Sequence, residues 1–405
     1  MRLTMPKVDG FANIGRMSPT TTPIAIDFGS RTMKILQLST GAAPALVSAV
    51  QIETPEPLYN DSRRRLLWQF SQLPKAVKLG GFKGKRAVAS LPAALTFCKH
   101  LQFPRSDTAD VRLLVEAALS QQLQCEPSSL VFRHVEVGPV AGGAKTEAIG
   151  FAAGREMVEQ LMTALRGARL EPVGVMSEFA ALLHGFEYLC ERDEDSKLSS
   201  LYLDIGFNTT NVAIAHGSDL VFARCIEHGG RSLNEAMAKQ LKIEPSEAQQ
   251  LRMGLEFLCK KDREPAPEMR QQPPAKVDEP NPDRRGSPSS VFSGQPEATV
   301  AASGPTVDLT EALEIITDEI SMCLRYYDAM FPGRRIDRAI FVGGESAHKG
   351  LCQSIARALR LPAQVADPLA RVARTGTELV KDVDLRTSQP GWAVAMGLCL
   401  SPTDL

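Results

Sequence analysis

Apolar and β-branched residues alternate with tight polar turns in two stretches that lie about half the chain apart. Residues 23–38 read PIAIDFGSRTMKILQL, and residues 201–216 read LYLDIGFNTTNVAIAH. Each pattern predicts a buried strand that ends in Asp-x-Gly, a tight turn and a second strand. A third strand and a helical pattern follow each stretch, as ALVSAVQIE with RRLLWQFSQLPKAV and as LVFARCIE with SLNEAMAKQL. The chain is therefore predicted to repeat a βββα unit in two similarly folded halves.

The connection between the halves follows another pattern, which predicts strands around a helix in a small α+β insert with the order strand–helix–strand–strand. From Lys260 to about Pro305, proline, charged and small polar residues replace apolar ones, so a disordered or loosely held loop is expected there. The predicted division is a flexible tail (1–22), a first lobe (23–83 and 169–198), the insert (84–168), a second lobe (199–235 and 310–405) and a helical subdomain (236–309) that contains the proline-rich loop.

Composition and charge exclude several classes of protein. The chain has 405 residues, of which 43% are hydrophobic and 23% charged, and this composition is typical of a globular protein with two or more compact cores. A net charge of −1 lacks the basic character of a nucleic-acid-binding domain. The eight cysteines form no C-x-x-C pair, so neither a disulfide framework nor a zinc site is indicated. The first 22 residues lack the apolar segment of a signal peptide and no apolar run is long enough to span a membrane, so a cytosolic protein is expected.

The two Asp-x-Gly turns carry the chemistry that the residues themselves suggest. A glycine in such a turn lets backbone N–H groups approach an anion closely, as in the turns that bind phosphate. The carboxylates of Asp27 and Asp204 are able to hold Mg²⁺ directly or through water. Two such units that face each other would bind the phosphate chain of a nucleotide together with its metal ion.

Two glycine pairs and one acidic residue complete the pattern. Gly229 and Gly230 open a predicted helix, Gly343 and Gly344 end a predicted strand, and Glu178 begins the segment Glu-Phe-Ala-Ala between the halves. This order of elements resembles the actin, sugar-kinase and heat-shock-chaperone ATPase superfamily. The resemblance implies an α/β, actin-like fold of two lobes (a duplicated ribonuclease H-like fold) with ATP and Mg²⁺ between them.

Within this superfamily the chain most resembles the type IV pilus assembly protein PilM family, which is related to the cell-division protein FtsA. The resemblance covers about residues 23–259 and 306–400. It rests on IDFGSRTMKILQL, KHLQFP, LDIGFNTTN, IEHGGRSLNEA, and FVGGESAHKGLCQSIARAL with LPAQVADPL, and on the α+β insert in the first half.

The resemblance implies a role for each site residue. The first phosphate hairpin would consist of Asp27, Gly29, Ser30 and Lys34, and the second of Asp204, Gly206, Thr209 and Thr210. The helix beside the ribose would begin at Gly229 and Gly230, and Gly343 and Gly344 would form the floor under the adenine. Asp27 and Asp204 would hold Mg²⁺, and Glu178 would orient the attacking water. Lys34 is equally well interpreted as a solvated strand residue, and Glu178 as an acid favoured at a helix start. Glu345 departs from the small residue that the family usually has there.

The resemblance also implies a function in assembly, with slow or absent ATP turnover. The protein would lie at the cytoplasmic face of the inner membrane and bind the N-terminal cytoplasmic segment of a PilN-like membrane protein, with its docking groove between the insert and the first lobe. Three alternatives stay open: an FtsA-like division protein, a nucleotide-free scaffold and a small-molecule kinase. The first needs a basic amphipathic tail, which GLCLSPTDL does not resemble. The machine served (pilus, competence or type II secretion-like) and homo-oligomerisation stay open as well.

Overall fold

The computed structural model describes residues 20–41, 43–106, 110–190, 192, 194–254 and 307–401. The predicted proline-rich loop and most of the predicted N-terminal tail lie outside these ranges. The strands are β1 (Ile24–Phe28), β2 (Thr32–Leu38), β3 (Leu46–Glu53), β4 (Arg86–Leu91), β5 (Phe97–Pro104), β6 (Leu130–Val140), β7 (Lys145–Gly154), β8 (Glu171–Ser177), β9 (Ser199–Ile205), β10 (Thr210–His216), β11 (Asp219–Ile226), β12 (Arg338–Val342), β13 (Ala363–Val365) and β14 (Leu379–Lys381). The helices are α1 (Ser62–Gly80), α2 (Val111–Leu123), α3 (Arg155–Gly167), α4 (Glu178–His184), α5 (Gly230–Leu241), α6 (Pro245–Met253), α7 (Thr310–Met330), α8 (Lys349–Leu359) and α9 (Ala393–Leu400).

Two mixed sheets share one strand plan. The first sheet has the order β14-β3-β2-β1-β4-β8 and the second has the order β11-β10-β9-β12-β13. In each, three antiparallel strands are followed by two strands parallel to the first of them, β4 and β8 beside β1 and β12 and β13 beside β9. The same plan in both sheets confirms the predicted duplication and the two-lobed α/β fold.

Helices bury one or both faces of each sheet. The apolar face of α1, through Leu66, Phe70 and Leu73, packs with α3 against β1 and β4. In the second lobe α5, α7 and α8 cover β9, β10 and β12. Within the described part of the chain, no helix combines the length and the apolar character needed to cross a bilayer.

The separate sheet of the insert is narrower than the predicted range 84–168. It consists of β5, β7 and β6 in antiparallel order, with α2 packed on one face, and spans residues 97–154. β4 pairs instead with β1 in the first lobe, because five of its six residues are apolar or small and buried there. α3 likewise packs on the lobe sheet through Leu161 and Leu165. The other face of the insert contacts the second lobe, where Phe151 joins a cluster with Ala213 and Ala223.

The C-terminal elements pack on the first lobe, although the sequence placed residues 310–405 in the second. β14 pairs with β3, and α9 packs against β1, β2 and α4. α9 is buried on every side but for its last residue, since Ala, Val, Met, Leu and Cys follow one another along it. Gly397 allows the close approach, because an added Cβ would overlap the carbonyl oxygen of Ala181 on α4.

Candidate functional site

The turns of the β1–β2 and β9–β10 hairpins are built alike. In the first, Asp27 pairs across the hairpin with Lys34; in the second, Asp204 pairs with Asn211, so each acid faces the residue seven positions later. Lys34 Nζ lies 3.6 Å from Asp27 Oδ2, and Asn211 Nδ2 donates to Asp204 Oδ2 at 3.3 Å. The cationic partner of the first acid is thus replaced by a neutral amide in the second.

Both turns require their glycine. A Cβ on Gly29 would lie 2.8 Å from the carbonyl oxygen of Thr32, and a Cβ on Gly206 would lie 2.9 Å from that of Thr209. The Gly206 N–H donates to the same Thr209 oxygen at 2.8 Å, which closes the second turn. A larger residue at either glycine would open the turn and displace the acid, which lies two residues before the glycine.

The hairpins open into one cleft between the lobes, with a volume of about 410 Å³. Most of the residues that the sequence predicts for a nucleotide site line this cleft. They are Asp27, Gly29, Ser30, Lys34, Glu178, Asp204, Gly206, Thr209, Gly343 and Gly344. Gly343 has a φ of 91°, and its Cβ would lie 2.5 Å from Asp204 Oδ1, so only glycine lets the end of β12 approach the second acid so closely.

Three predicted site residues support the second hairpin from outside the cleft. Thr210 is fully buried and its hydroxyl donates to the carbonyl oxygen of His228 at 2.8 Å. The Gly230 N–H donates to the carbonyl oxygen of Gly206 at 3.1 Å, and an added Cβ on Gly229 would overlap that oxygen. These residues fix the position of the turn, and they do not line the cleft.

Three carboxyl groups meet where the hairpins face each other. Asp27 is 4% exposed and accepts from the Ser90 hydroxyl at 3.4 Å. Glu178 is the first residue of α4, and its Oε2 accepts from Asn211 Nδ2 at 2.9 Å and from the Ala93 N–H at 3.0 Å. Asn211 thereby connects the acid on α4 with Asp204 on β9.

Burial raises the pKa of all three acids, and repulsion from neighbouring acids adds to the effect at Asp204 and Glu178. For Asp27 burial raises the pKa, and the opposing charge of Lys34 offsets part of the effect. For Asp204 burial and then the charge of Asp27 raise the pKa to about 6. For Glu178 burial, followed by the charges of Asp27 and Asp204, raises the pKa to about 8. At neutral pH and without ligand, Glu178 therefore holds a proton.

The donor set fits a magnesium ion that keeps most of its waters. In the described residues no group of three or more His, Cys, Asp or Glu side chains is arranged to ligate a metal directly. Mg²⁺ usually binds through one or two carboxylates, waters and substrate phosphates, and the acids with raised pKa values would gain from a nearby cation. Asp27 and Asp204 would hold such an ion, largely through water, beside the phosphates.

We expect the Glu178→Gln variant to be more stable than the wild type at high pH without ligand. The folded pKa of Glu178 is about 8 against an ordinary 4.5, so its contribution to stability is fully present below about pH 4.5 and is lost as pH rises through 8. At about 1.4 kcal/mol per pH unit, reduced because the cleft is open to water, the variant should gain about 2–3 kcal/mol at pH 9 and nothing at pH 4.5. Urea unfolding from pH 4.5 to 9 measures this difference. A constant difference across that range would contradict it.

The sequence did not single out a cluster that joins the lobes at the mouth of the cleft. The Arg31 guanidinium lies 5.9 Å from the ring centroid of Tyr59 and 5.5 Å from that of Phe207, and the two rings meet edge to face at 5.1 Å. Asn208 Nδ2 donates to the carbonyl oxygen of Tyr59 at 2.6 Å. Arg31 lies two residues after Gly29 and Phe207 one residue after Gly206, and this position next to the turns was the signal that the sequence offered. Their partner, Tyr59, lies in an irregular segment that no pattern connects with the turns.

A buried ion pair closes the other end of the cleft. Glu345 lines the cleft, is 4% exposed and accepts from Nη2 of Arg252, which is fully buried on α6. Arg252 Nε also donates to Asn234 Oδ1 at 2.7 Å. Gln249 and Met253, from the same helix, line the cleft as well. The unusual Glu345 is therefore held within the second lobe by a partner that the sequence did not predict.

A second groove of about 790 Å³ lies beside the insert. β5 and the segment before it form one wall, and β11 and α7 form the other, so this groove lies between the insert and the second lobe. His100 Nε2 accepts from the Ala223 N–H at 3.3 Å, and Cys98 Sγ donates to the Ala223 oxygen at 3.4 Å. Ala93 lines both this groove and the cleft.

Comparison with known proteins gives a family and a fold. The profile of the family described as type IV pilus assembly protein PilM matches residues 25–259, and that of cell division protein FtsA matches residues 201–397. No curated protein sequence matches the chain.

Among solved structures, the PilM-PilN type IV pilus biogenesis complex aligns with a TM-score of 0.68 and 18% identity, covering 94% of this chain and 98% of that chain. The ethanolamine utilization protein EutJ from Carboxydothermus hydrogenoformans aligns with a TM-score of 0.46 and 12% identity, covering 95% and 90%. MreB5 of Spiroplasma citri bound to ADP aligns with a TM-score of 0.44 and 13% identity, covering 92% and 94%.

Proposed function

Since the chain belongs to the type IV pilus assembly protein PilM family, we propose that it is an actin-like scaffold of a pilus or type II secretion-like platform that binds Mg–ATP in its cleft. Through a PilN-like membrane protein it would be held at the cytoplasmic face of the inner membrane. The family profile, which matches more than half of the chain, supports the role in assembly. The binding of ATP, of Mg²⁺ and of a PilN-like partner is what we propose beyond the family.

The observation that best supports nucleotide binding is the pair of matching hairpin turns that face each other across one cleft. Each turn brings backbone N–H groups and a carboxylate to the same place, because Gly29 and Gly206 leave no room for a side chain. A phosphate chain would receive N–H groups from both turns, the hydroxyls of Ser30 and Thr209, and the charge of Lys34. Mg²⁺, when bound, would neutralise phosphate charge beside Asp27 and Asp204.

Glu178 supports binding with slow or absent turnover. The proton that it holds at neutral pH, and its two acceptor contacts to Ala93 N–H and Asn211, keep its carboxyl group engaged with the protein. A base that orients a water molecule must be ionised and free to accept from it. A metal ion beside the acids would lower the pKa of Glu178, so any hydrolysis should require Mg²⁺.

The second groove is the proposed docking site of the PilN-like segment. One solved structure that this chain resembles is a PilM–PilN complex. In this chain β5 and β11 are edge strands of their sheets, and the groove between them is lined by apolar side chains that include Phe97, Phe222 and Met322. Outside Ala223, whose N–H and carbonyl oxygen bond to β5 side chains, an extended peptide is able to add to the edge of β11 and place alternate side chains in such a groove.

We expect the Asp204→Asn variant to bind Mg–ATP at least tenfold more weakly than the wild type, because the amide removes a charge that would hold the metal ion. The isosteric amide retains the packing beside Gly343, so folding should be preserved. Calorimetric titration of both proteins with ATP, with and without Mg²⁺, measures the loss. Equal affinity with Mg²⁺ present would remove Asp204 from the metal site.

The partner is tested with a synthetic peptide of the N-terminal cytoplasmic segment of a PilN-like protein. The wild type should bind it with or without nucleotide, and the Met322→Asp variant, which places a charge in the groove at a side chain that is 39% exposed, should lose at least tenfold in affinity. If wild type binds the peptide but no nucleotide, the protein is a nucleotide-free scaffold. If neither binds, the assembly role proposed here loses its main support.

An FtsA-like role in division is the second candidate, because the FtsA profile matches residues 201–397. It uses the same cleft and makes the same prediction for Asp204. The peptide titration separates the two, since an FtsA-like protein has no reason to bind a PilN-like segment.

A further inference from the structure

Glu345 occupies a defined place between the second hairpin and α6. Its carboxyl group packs directly on Gly230, where any Cβ would overlap it. The Gly230 N–H in turn donates to the carbonyl oxygen of Gly206, the glycine of the hairpin turn. One residue, Gly230, thus separates this carboxylate from the turn that would hold the phosphates, and Glu345 lines the cleft.

Arg252 makes this carboxylate compatible with a bound polyphosphate. The guanidinium is fully buried, donates Nη2 to Glu345 Oε2 and donates Nε to Asn234. The pair is therefore neutral as a unit and fixed in orientation by a neighbour on α5. A carboxylate has about four acceptor sites, and Arg252 fills one of them. Glu345 can accept further hydrogen bonds from a ligand without bringing a net negative charge to the phosphates.

The position of Glu345 favours the ribose as the hydrogen-bond donor. The group bonded directly to the phosphate chain of a nucleotide is the ribose, whose hydroxyls are hydrogen-bond donors, and the base lies one group further away. Met253 on α6 also lines the cleft, and its thioether is suited to the face of a base. Gln249 adds an amide that both donates and accepts.

We propose that Glu345, held by Arg252, accepts a hydrogen bond from a ribose hydroxyl and makes the cleft selective for ribonucleotides over deoxyribonucleotides. This inference rests on the proposed binding of ATP. A deoxynucleotide would cover the carboxylate without supplying the donor, and a charged acceptor left unpaired in a closed site is costly.

The test is calorimetric titration of the full chain with Mg–ATP, Mg–2′-deoxyATP, Mg–3′-deoxyATP and Mg–GTP. The wild type should bind ATP at least tenfold more tightly than one of the deoxy forms. Glu345→Gln keeps the size of the side chain and an acceptor for Arg252, and Arg252→Met/Glu345→Gln removes the unpaired buried charge as well; both variants should reduce this ratio to threefold or less. Glu247→Ser, on an exposed face of α6 outside the cleft, is the matched control and should leave the ratio unchanged.

Each result decides a separate point. ATP and both deoxy forms bound equally by the wild type would overturn the inference and leave the proposed function standing, and this comparison needs no variant to fold. A ratio that persists in Glu345→Gln would remove Glu345 as its cause. A preference for ATP over GTP that disappears in Glu345→Gln, without a deoxy effect, would show that the carboxylate reads the base and would also overturn it. No binding of any nucleotide would overturn the proposed function and this inference with it.

Discussion

Replacing Arg252 with methionine is expected to lower the free energy of unfolding by about 3–5 kcal/mol, the usual cost of breaking a buried ion pair on one side. The side chain is fully buried, and its removal would leave Glu345 as an uncompensated charge that is 4% exposed. Asn234 would lose its donor as well. The methionine fills most of the volume, so the loss comes from charge and hydrogen bonding rather than from a cavity.

Urea unfolding followed by tryptophan fluorescence and by circular dichroism measures this loss. The double variant Arg252→Met/Glu345→Gln is the control, because it removes the stranded charge and should recover at least half of the stability. A single variant within about 1 kcal/mol of the wild type would mean that the pair contributes little. A double variant no better than the single one would assign the loss to packing around α6.

The sequence predicted the two hairpin turns that line the cleft because their elements are local in sequence. An acid, a glycine and two flanking strands lie within about 16 residues, and strand alternation places Asp27 opposite Lys34 without knowledge of the rest of the fold. The same reasoning applies to Asp204 and Asn211. Periodicity and turn chemistry therefore describe both hairpins.

The other end of the cleft could not be predicted because its contacts are long-range. Arg252 meets Glu345 across 93 positions of sequence. On α6, one arginine among polar neighbours is indistinguishable from a solvated residue until α5 and β12 pack around it. The position of Tyr59 under Arg31 depends in the same way on the closure of the two lobes.

The packing of β14 and α9 on the first lobe differs from the predicted division for a related reason. The sequence of a small apolar helix such as α9 is compatible with any apolar surface. The prediction therefore assigned it to the second lobe, which contains the residues that precede it in the chain. The first lobe offers a surface that the second does not, since β1, β2 and α4 leave a gap that only a helix with glycine at position 397 is able to fill. As a result, α9 packs against both β1, which carries Asp27, and α4, which begins with Glu178.

The Gly397→Ala variant should accordingly lose about 3 kcal/mol or more of stability and bind nucleotide more weakly. The added methyl group would overlap the backbone carbonyl of Ala181, which cannot rotate away as a side chain would, so α9 must move off α4. Because Glu178 begins α4 and Asp27 is the penultimate residue of β1, that movement should separate the two acids. Thermal unfolding and Mg–ATP titration measure the two effects.

Gly167→Ala, at the end of α3, is the matched control. A Cβ there meets no atom within 4 Å, so the substitution should be neutral or stabilise the helix by up to about 1 kcal/mol, with nucleotide affinity unchanged. If Gly397→Ala behaved like this control, α9 would not be clamped between the lobe sheet and α4. If Gly397→Ala lost stability but kept full affinity for Mg–ATP, the position of the acids would not depend on α9, and the hairpins alone would hold the site.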